Sequence, residues 1–179
     1  MLIDSHAHLD MDDFKDDLES VIDRAYQGGV ERIITIGIDL SSSIKALEIA
    51  NSYDYIYSTV GFHPHDADKV TDAQLEELKA LAKENKVVAW GEIGLDFFRN
   101  RSPREKQIEV FRTQLEIAYD IGLPVIIHNR DADKEIIETL DSIRNTVHKG
   151  IIHCFSGDYK TALTFIDMGF HISIPGIVT

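Results

Sequence analysis

Eight histidines occur in this 179-residue chain, and imidazole is the side chain best suited to hold a divalent metal or to move a proton near neutral pH. Their placement carries the signal. His6 and His8 close the first apolar, β-rich run, His63 and His65 follow the third, His128 ends the fifth, and His153 lies in the sixth. The ends of such runs cover about a tenth of the chain, so chance would put roughly one histidine there. Six of the eight fall there, and Glu92 ends the fourth run. The i, i+2 spacing of His6-Ala7-His8 sets both rings on one side of an extended strand. A chelating pair of imidazoles, one carboxylate and two further imidazoles make a borderline-hard donor set suited to zinc, manganese or similar ions. A carboxylate between two imidazole clusters can bridge two ions, and paired ions activate a water and clamp a phosphoryl or carbonyl oxygen. A single strand histidine is ordinarily a hydrogen-bonded core or surface group; the convergence of the set is what points to a metal.

The elements that must position these residues alternate along the chain. The β-rich runs are Leu2–His6, Arg32–Ile38, Ile56–Gly61, Val87–Glu92, Pro124–His128, Gly150–Cys154 and Phe170–Ile174. Between them lie amphipathic segments near 13–28, 42–52, 71–85, 103–121, 131–145 and 158–168. Ser102-Pro103-Arg104-Glu105 reads as an N-cap with a first-turn proline and a capping box, and Thr71 with Gln74 as a second box. Gly28-Gly29, Gly122 and Gly169 read as helix ends. Stretches such as Ile33-Ile34-Thr35-Ile36 and Val125-Ile126-Ile127 are nearly continuous in apolar residues, the pattern of a parallel sheet covered on both faces. An open doubly wound sheet would normally carry a glycine-rich turn after its first strand, and none is present here. The expectation is therefore an α/β fold, a TIM-like (β/α) barrel of parallel strands, with the six histidines and Glu92 on its C-terminal face. A full barrel has eight strands in typically about 250 residues. With seven strand signals, residues 1–179 read as one domain, truncated before the eighth strand.

Composition removes several function classes. Eighteen basic and 31 acidic residues give a net charge of −13, with a pI near 4.9, which argues against general binding of long nucleic acid, since phosphate attraction needs clustered Lys and Arg. No apolar run approaches the roughly 20 residues of a membrane helix. The N-terminus enters a motif directly, so no signal peptide is expected. Cys154 is the only cysteine, which excludes a disulfide framework and fits a reducing cytoplasm.

Six blocks in order resemble the TatD family of metal-dependent deoxyribonucleases, a branch of the amidohydrolase-like TIM barrels. They are Asp4-Ser5-His6-Ala7-His8-Leu9-Asp10, Gly61-Phe62-His63-Pro64-His65, Gly91-Glu92-Ile93-Gly94-Leu95-Asp96, Gln107 through Gln114 with Phe111 between, Leu123 through His128, and His153-Cys154-Phe155-Ser156-Gly157. The resemblance implies that His6 and His8 hold one ion, that Glu92 bridges to a second, and that His128 and His153 complete the second. It implies that His63 and Asp96 line the substrate pocket. Two divalent ions (Zn, Mn or Mg) and a water-mediated cleavage of DNA phosphodiesters from an end follow from it, as does Glu92 as the catalytic carboxylate. The Glu-Thr-Asp stretch that supplies an aspartate after the eighth strand in this family has no counterpart in the 179 residues.

Arg130, two residues past His128, is the best phosphate-contact candidate outside the family blocks. Arg99, Arg101 and Arg104 with Phe97 and Phe98 could contact phosphates and stack a base, or form a solvated loop. Cys154 is expected to face away from His153, which argues against a thiol nucleophile, and Ser156-Gly157 lacks a nucleophile elbow. His148 and His171 read as structural, and Asp10, Asp12, Asp13, Asp16 and Asp17 as an exposed acidic start to the first helix. The expected partner is a DNA end or short single-stranded DNA, bound weakly and in a salt-sensitive way. Two other readings stay open: an amidohydrolase or esterase acting on a small carbonyl substrate or a D-aminoacyl-tRNA, and a metal-binding remnant with impaired turnover.

Overall fold

Apolar runs become strands and the amphipathic segments between them become helices, in strict alternation. A computed structural model describes residues 2–143 and 149–175. The strands are β1 (Leu2–Ala7), β2 (Val30–Thr35), β3 (Ile56–Val60), β4 (Val87–Asp96), β5 (Val125–Arg130), β6 (Gly150–His153) and β7 (Phe170–Ile172). The helices are α1 (Leu18–Gln27), α2 (Leu40–Ser52), α3 (Asp72–Leu81), α4 (Arg104–Ile121), α5 (Asp133–Ser142) and α6 (Tyr159–Asp167), with 3-10 turns at Asp12–Phe14 and Pro64–Lys69. The seven strands pair in chain order in one sheet, every neighbour parallel.

The sheet is curled as a barrel wall. Strands sit about 4.8 Å apart, so a flat sheet would separate β1 from β6 by roughly 24 Å. Instead the His6 and His153 rings, at the ends of those strands, stack with centroids 3.4 Å apart. The expected TIM-like architecture is therefore present as seven strands of a barrel. The main core lies between the middle strands and the helices outside them, built on Val60, Trp90, Ile93, Phe111, Ile127 and Phe165. The edge strand β1 is far less covered, with Leu2 57% and Ile3 46% exposed.

Several elements depart from the sequence reading. The fourth strand runs on past Glu92 to Asp96, and the fifth past His128 to Arg130. Glycine explains the continuation: a Cβ on Gly94, whose φ is +139°, would stand 2.0 Å from the His128 carbonyl oxygen, and one on Gly91 would stand 2.7 Å from Ile126. Only bare backbone lets β4 lie this close to β5. The register between these strands shifts between Trp90 and Ile93, and Glu92 sits within that irregularity. The first helix starts at Leu18, later than expected, after the 3-10 turn; Asp side chains favour such turns over helix interiors. Asp12, Asp13, Asp16 and Asp17 are exposed as expected, whereas Asp10 is half-buried, and burial raises its carboxyl above the usual range. The capping box of Thr71 and Gln74 forms, and Gly122 caps α4 in the left-handed region at φ 74°. Ser102 does not cap α4; Pro103 takes that place without a side-chain bond. The Ser102 hydroxyl is buried and turned back to the His65 carbonyl (2.9 Å) and Asp68 Oδ1 (2.8 Å), where it ties two loops together. Of the helix expected near 131–145, positions 144 and 145 lie outside the described residues, as does His148.

Candidate metal centre

Glu92 is the hub. It is 3% exposed, and four histidines from three other strand ends converge on its carboxylate. His128 Nδ1 lies 2.8 Å from Oε1 and His63 Nε2 3.8 Å from the same oxygen. On the other oxygen, Oε2, His6 Nε2 stands at 3.3 Å and His8 Nε2 at 3.8 Å. His153 joins through its stack on His6, the rings inclined by only 9°. Among the described residues, two groups of donor atoms are compact enough to hold an ion: His6, Glu92 and His153, and His63, Glu92 and His128, each with its atoms within 4.8 Å of one another. Glu92 belongs to both.

The expected five ligands are thus brought together, with two differences in detail. The compact groups cross the expected pairs, since His6 is grouped with His153 rather than with His8. His63, expected as a substrate contact, lies inside the second group. The sign of the environment suits a cation. His6 Nε2 and His8 Nε2 face each other at 3.2 Å, two basic nitrogens directed at one space. Among the described residues, His6 Nδ1 and His8 Nδ1 are buried without a hydrogen-bond partner.

Protonation follows the same geometry. Burial pushes the His63 imidazole down to about 3. Burial, with His6 alongside, pushes His153 down to about 4, and burial lowers His8 as well. These rings are neutral near pH 7, the state in which imidazole binds metal. Burial works to raise Glu92, but hydrogen bonds from His128 and His6 hold it well below the usual carboxylate range. Burial works to lower His128, and the Glu92 carboxylate reverses this, so His128 is raised overall.

Asp96, at the end of β4, organises the rim. Its Oδ1 accepts from the Arg99 backbone N–H at 2.7 Å; its Oδ2 lies 2.8 Å from His65 Nε2 and 3.3 Å from His128 Nε2. Those contacts outweigh burial and lower its carboxyl. Asp96, expected to line the substrate pocket, touches a proposed ligand, and it gives His65 a partner that sequence reading left unassigned. Two buried glutamines of α4 support this rim. Gln107 accepts from the Asp96 N–H, and Gln114 accepts from the Phe62 N–H and Trp90 Nε1. Their i, i+7 spacing, which places both on one helix face, was the available signal.

Arg130 is exposed, with its guanidinium 4.3 Å over the Phe98 ring. It lines a cavity of about 270 Å³ together with His128, Asn129, His153, Cys154 and Ser156. Cys154 therefore shares a cavity with His153 instead of facing away. The strand ends at His153, and Cys154 takes a left-handed φ of 51°, so the alternation of a strand no longer applies. Arg104 lies over Phe97 at 4.4 Å, while Arg99 and Arg101 are exposed. Asp158 caps α6 through the Thr161 N–H, and His171 is exposed on β7.

The profile of the family described as "TatD related DNase" matches residues 3–179. The chain belongs to the TatD family. It is 42% identical over 179 residues to the "Uncharacterized metal-dependent hydrolase YabD" of Bacillus subtilis, covering all of this chain and 70% of that one. It is 35% identical over 177 residues to the "3'-5' ssDNA/RNA exonuclease TatD" of Salmonella typhimurium, covering 99% of this chain and 68% of that protein. The crystal structure of the TatD homolog YJJV from Escherichia coli superposes with a TM-score of 0.93 at 33% identity, over 99% of this chain and 69% of that one. This TatD-family chain is accordingly a metal-dependent hydrolase with the barrel fold of its relatives.

Proposed function

We propose that this TatD-family chain hydrolyses phosphodiester bonds at the ends of single-stranded DNA. One observation carries the reading: a buried, ionised carboxylate, Glu92, shared by two histidine groups beside a cavity that Arg130 lines. The donor set fits two divalent ions (Zn, Mn or Mg), held by His6, His8, Glu92, His128 and His153, with Glu92 between them. When bound, such ions supply an activated water and charge stabilisation at the phosphoryl group. The chain's own residues do the rest. Asp96 holds the His128 ring by its Nε2 edge, which turns the Nδ1 edge toward Glu92 and leaves it as the nitrogen that would face an ion. Arg130 offers a guanidinium to a substrate phosphate, and His63, neutral and close to Glu92 Oε1, faces the reacting group.

The net charge of −13 shapes the substrate. A nuclease that engages a frayed end or a short strand needs few phosphate contacts, so affinity is weak and salt-sensitive. The name of the Salmonella relative supports single strands. Among the described residues no helix is long and apolar enough to cross a membrane; with its lone cysteine, we assign the protein to the cytoplasm.

The test is metal content by elemental analysis, followed by release of nucleotides from end-labelled single-stranded DNA with and without chelator. Close to two ions per chain and chelator-sensitive release are expected. Cleavage of acyl or lactone substrates with DNA left intact would transfer the protein to the amidohydrolase or esterase class. Retained metal with no hydrolysis of either would identify a remnant without turnover.

A further inference from the structure

Phe98, two residues past Asp96, is a large aromatic side chain 60% exposed, while its neighbour Phe97 is 7% exposed. Phe98 is held in place by its surroundings. The Asp96 carboxylate accepts from the Arg99 N–H at 2.7 Å, the Asn100 N–H reaches the Asp96 carbonyl at 3.2 Å, and the Phe97 N–H reaches the Arg130 carbonyl at 2.9 Å. These bonds fix the turn on both sides of Phe98. The ring then receives the Arg130 guanidinium at 4.3 Å. The same Asp96 carboxylate touches His128, so the turn that presents Phe98 is tied directly to the metal centre. From Arg130 the 270 Å³ cavity leads to His128 and His153.

We propose that Phe98 and Arg130 form a stacking platform that seats one nucleobase of a single-stranded nucleic acid beside the metal centre. A rigid, exposed aromatic plane stacks any base, because every base presents a π-face. A guanidinium lying on that plane adds cation–π attraction and keeps donors free for a neighbouring phosphate. The pairing explains how an acidic chain holds a polyanion: one stacked base and one arginine replace a basic groove. Sequence-tolerant binding follows, since stacking reads no base edge. The platform deepens the phosphodiesterase reading and rests on it for its ligand.

The test uses the metal-loaded chain and a thymidine pentanucleotide carrying 2-aminopurine at its 3′ end, or at its 5′ end. Stacking quenches 2-aminopurine fluorescence, which is read by rapid mixing before turnover. Quenching at one end is expected, abolished in Phe98→Ala and retained in Phe98→Trp. In steady state Phe98→Ala raises KM for the pentanucleotide about ten-fold, within the range of one lost stacking contact. Removing the base from the corresponding nucleotide raises the wild-type KM equally, and the two changes are not additive. Tyr159→Ala, an exposed aromatic at the start of α6, serves as the control and leaves quenching intact. Hydrolysis of the oligonucleotide without quenching at either end, or with additive effects of Phe98→Ala and base removal, overturns the platform and leaves the phosphodiesterase reading standing. Phe98-dependent quenching without hydrolysis sustains the platform and removes the reaction instead.

Discussion

Replacing Gln114 by leucine tests how the metal centre is supported from behind. Gln114 is 1% exposed. Its carbonyl oxygen accepts from the Phe62 N–H at 2.8 Å and from Trp90 Nε1 at 3.1 Å, and its amide donates to the Phe62 carbonyl at 3.0 Å. One side chain of α4 thereby joins the segment after β3, where His63 follows Phe62, to the strand that carries Glu92. Leucine has nearly the same volume but leaves three polar groups, two of them backbone, without these partners. A stranded buried group costs about 1–3 kcal/mol, and three that share one partner are less than additive, so a loss of about 3–6 kcal/mol is expected. Set against the 5–15 kcal/mol that typically holds a domain together, this is a large fraction. Urea unfolding followed by Trp90 fluorescence measures it, because Trp90 is the chain's only tryptophan and is itself one of the three donors and acceptors. The same variant should bind less metal, since His63 loses its fixed distance to Glu92. A midpoint change worth under about 1 kcal/mol at unchanged slope would refute the support role.

Glu92→Gln removes the charge common to both histidine groups; turnover should drop at least 100-fold, with bound metal reduced. In the metal-free variant the NMR titration of His128 should move down, because Glu92 raises it more than Asp96 does. Gly94→Ala forces a Cβ to within 2.0 Å of the His128 carbonyl at a φ of +139°, so it should cost more than about 2 kcal/mol and separate β4 from β5; thermal unfolding reads the loss. Metal-free protein should lose stability as pH falls from 6.5 toward 4. His63, at about 3, stays neutral when folded across this interval, and His153, at about 4, does so until the pH nears 4, whereas both take up protons earlier when unfolded. Their joint slope approaches about 2.7 kcal/mol per pH unit and falls short of it because His153 is partly exposed. His128, raised when folded, offsets part of that slope just below 6.5 and none of it once both states are fully protonated. A flat profile over this interval would contradict the burial of the two rings.

The sequence alone determined the alternation of strands and helices, the ends at which the histidines fall, and the six ordered blocks that mark the family. It determined these because periods of 2 and 3.6, the Thr71–Gln74 box and the glycine stop at Gly122 are written in neighbouring residues. The tertiary structure decided which groups meet. His6 lies against His153 rather than pairing only with His8, Asp96 draws in His65 and His128, and Cys154 turns into the cavity that His153 lines. Ser102 leaves its expected cap to join two loops, and Gln114 reaches a segment 52 residues away. Such contacts depend on how far the sheet curls and how closely its strands approach. Those quantities are set by the register shift at Trp90–Ile93 and by bare backbone at Gly91 and Gly94. A local pattern fixes which way a side chain leaves its strand; only the closed packing of many strands fixes what it finds there.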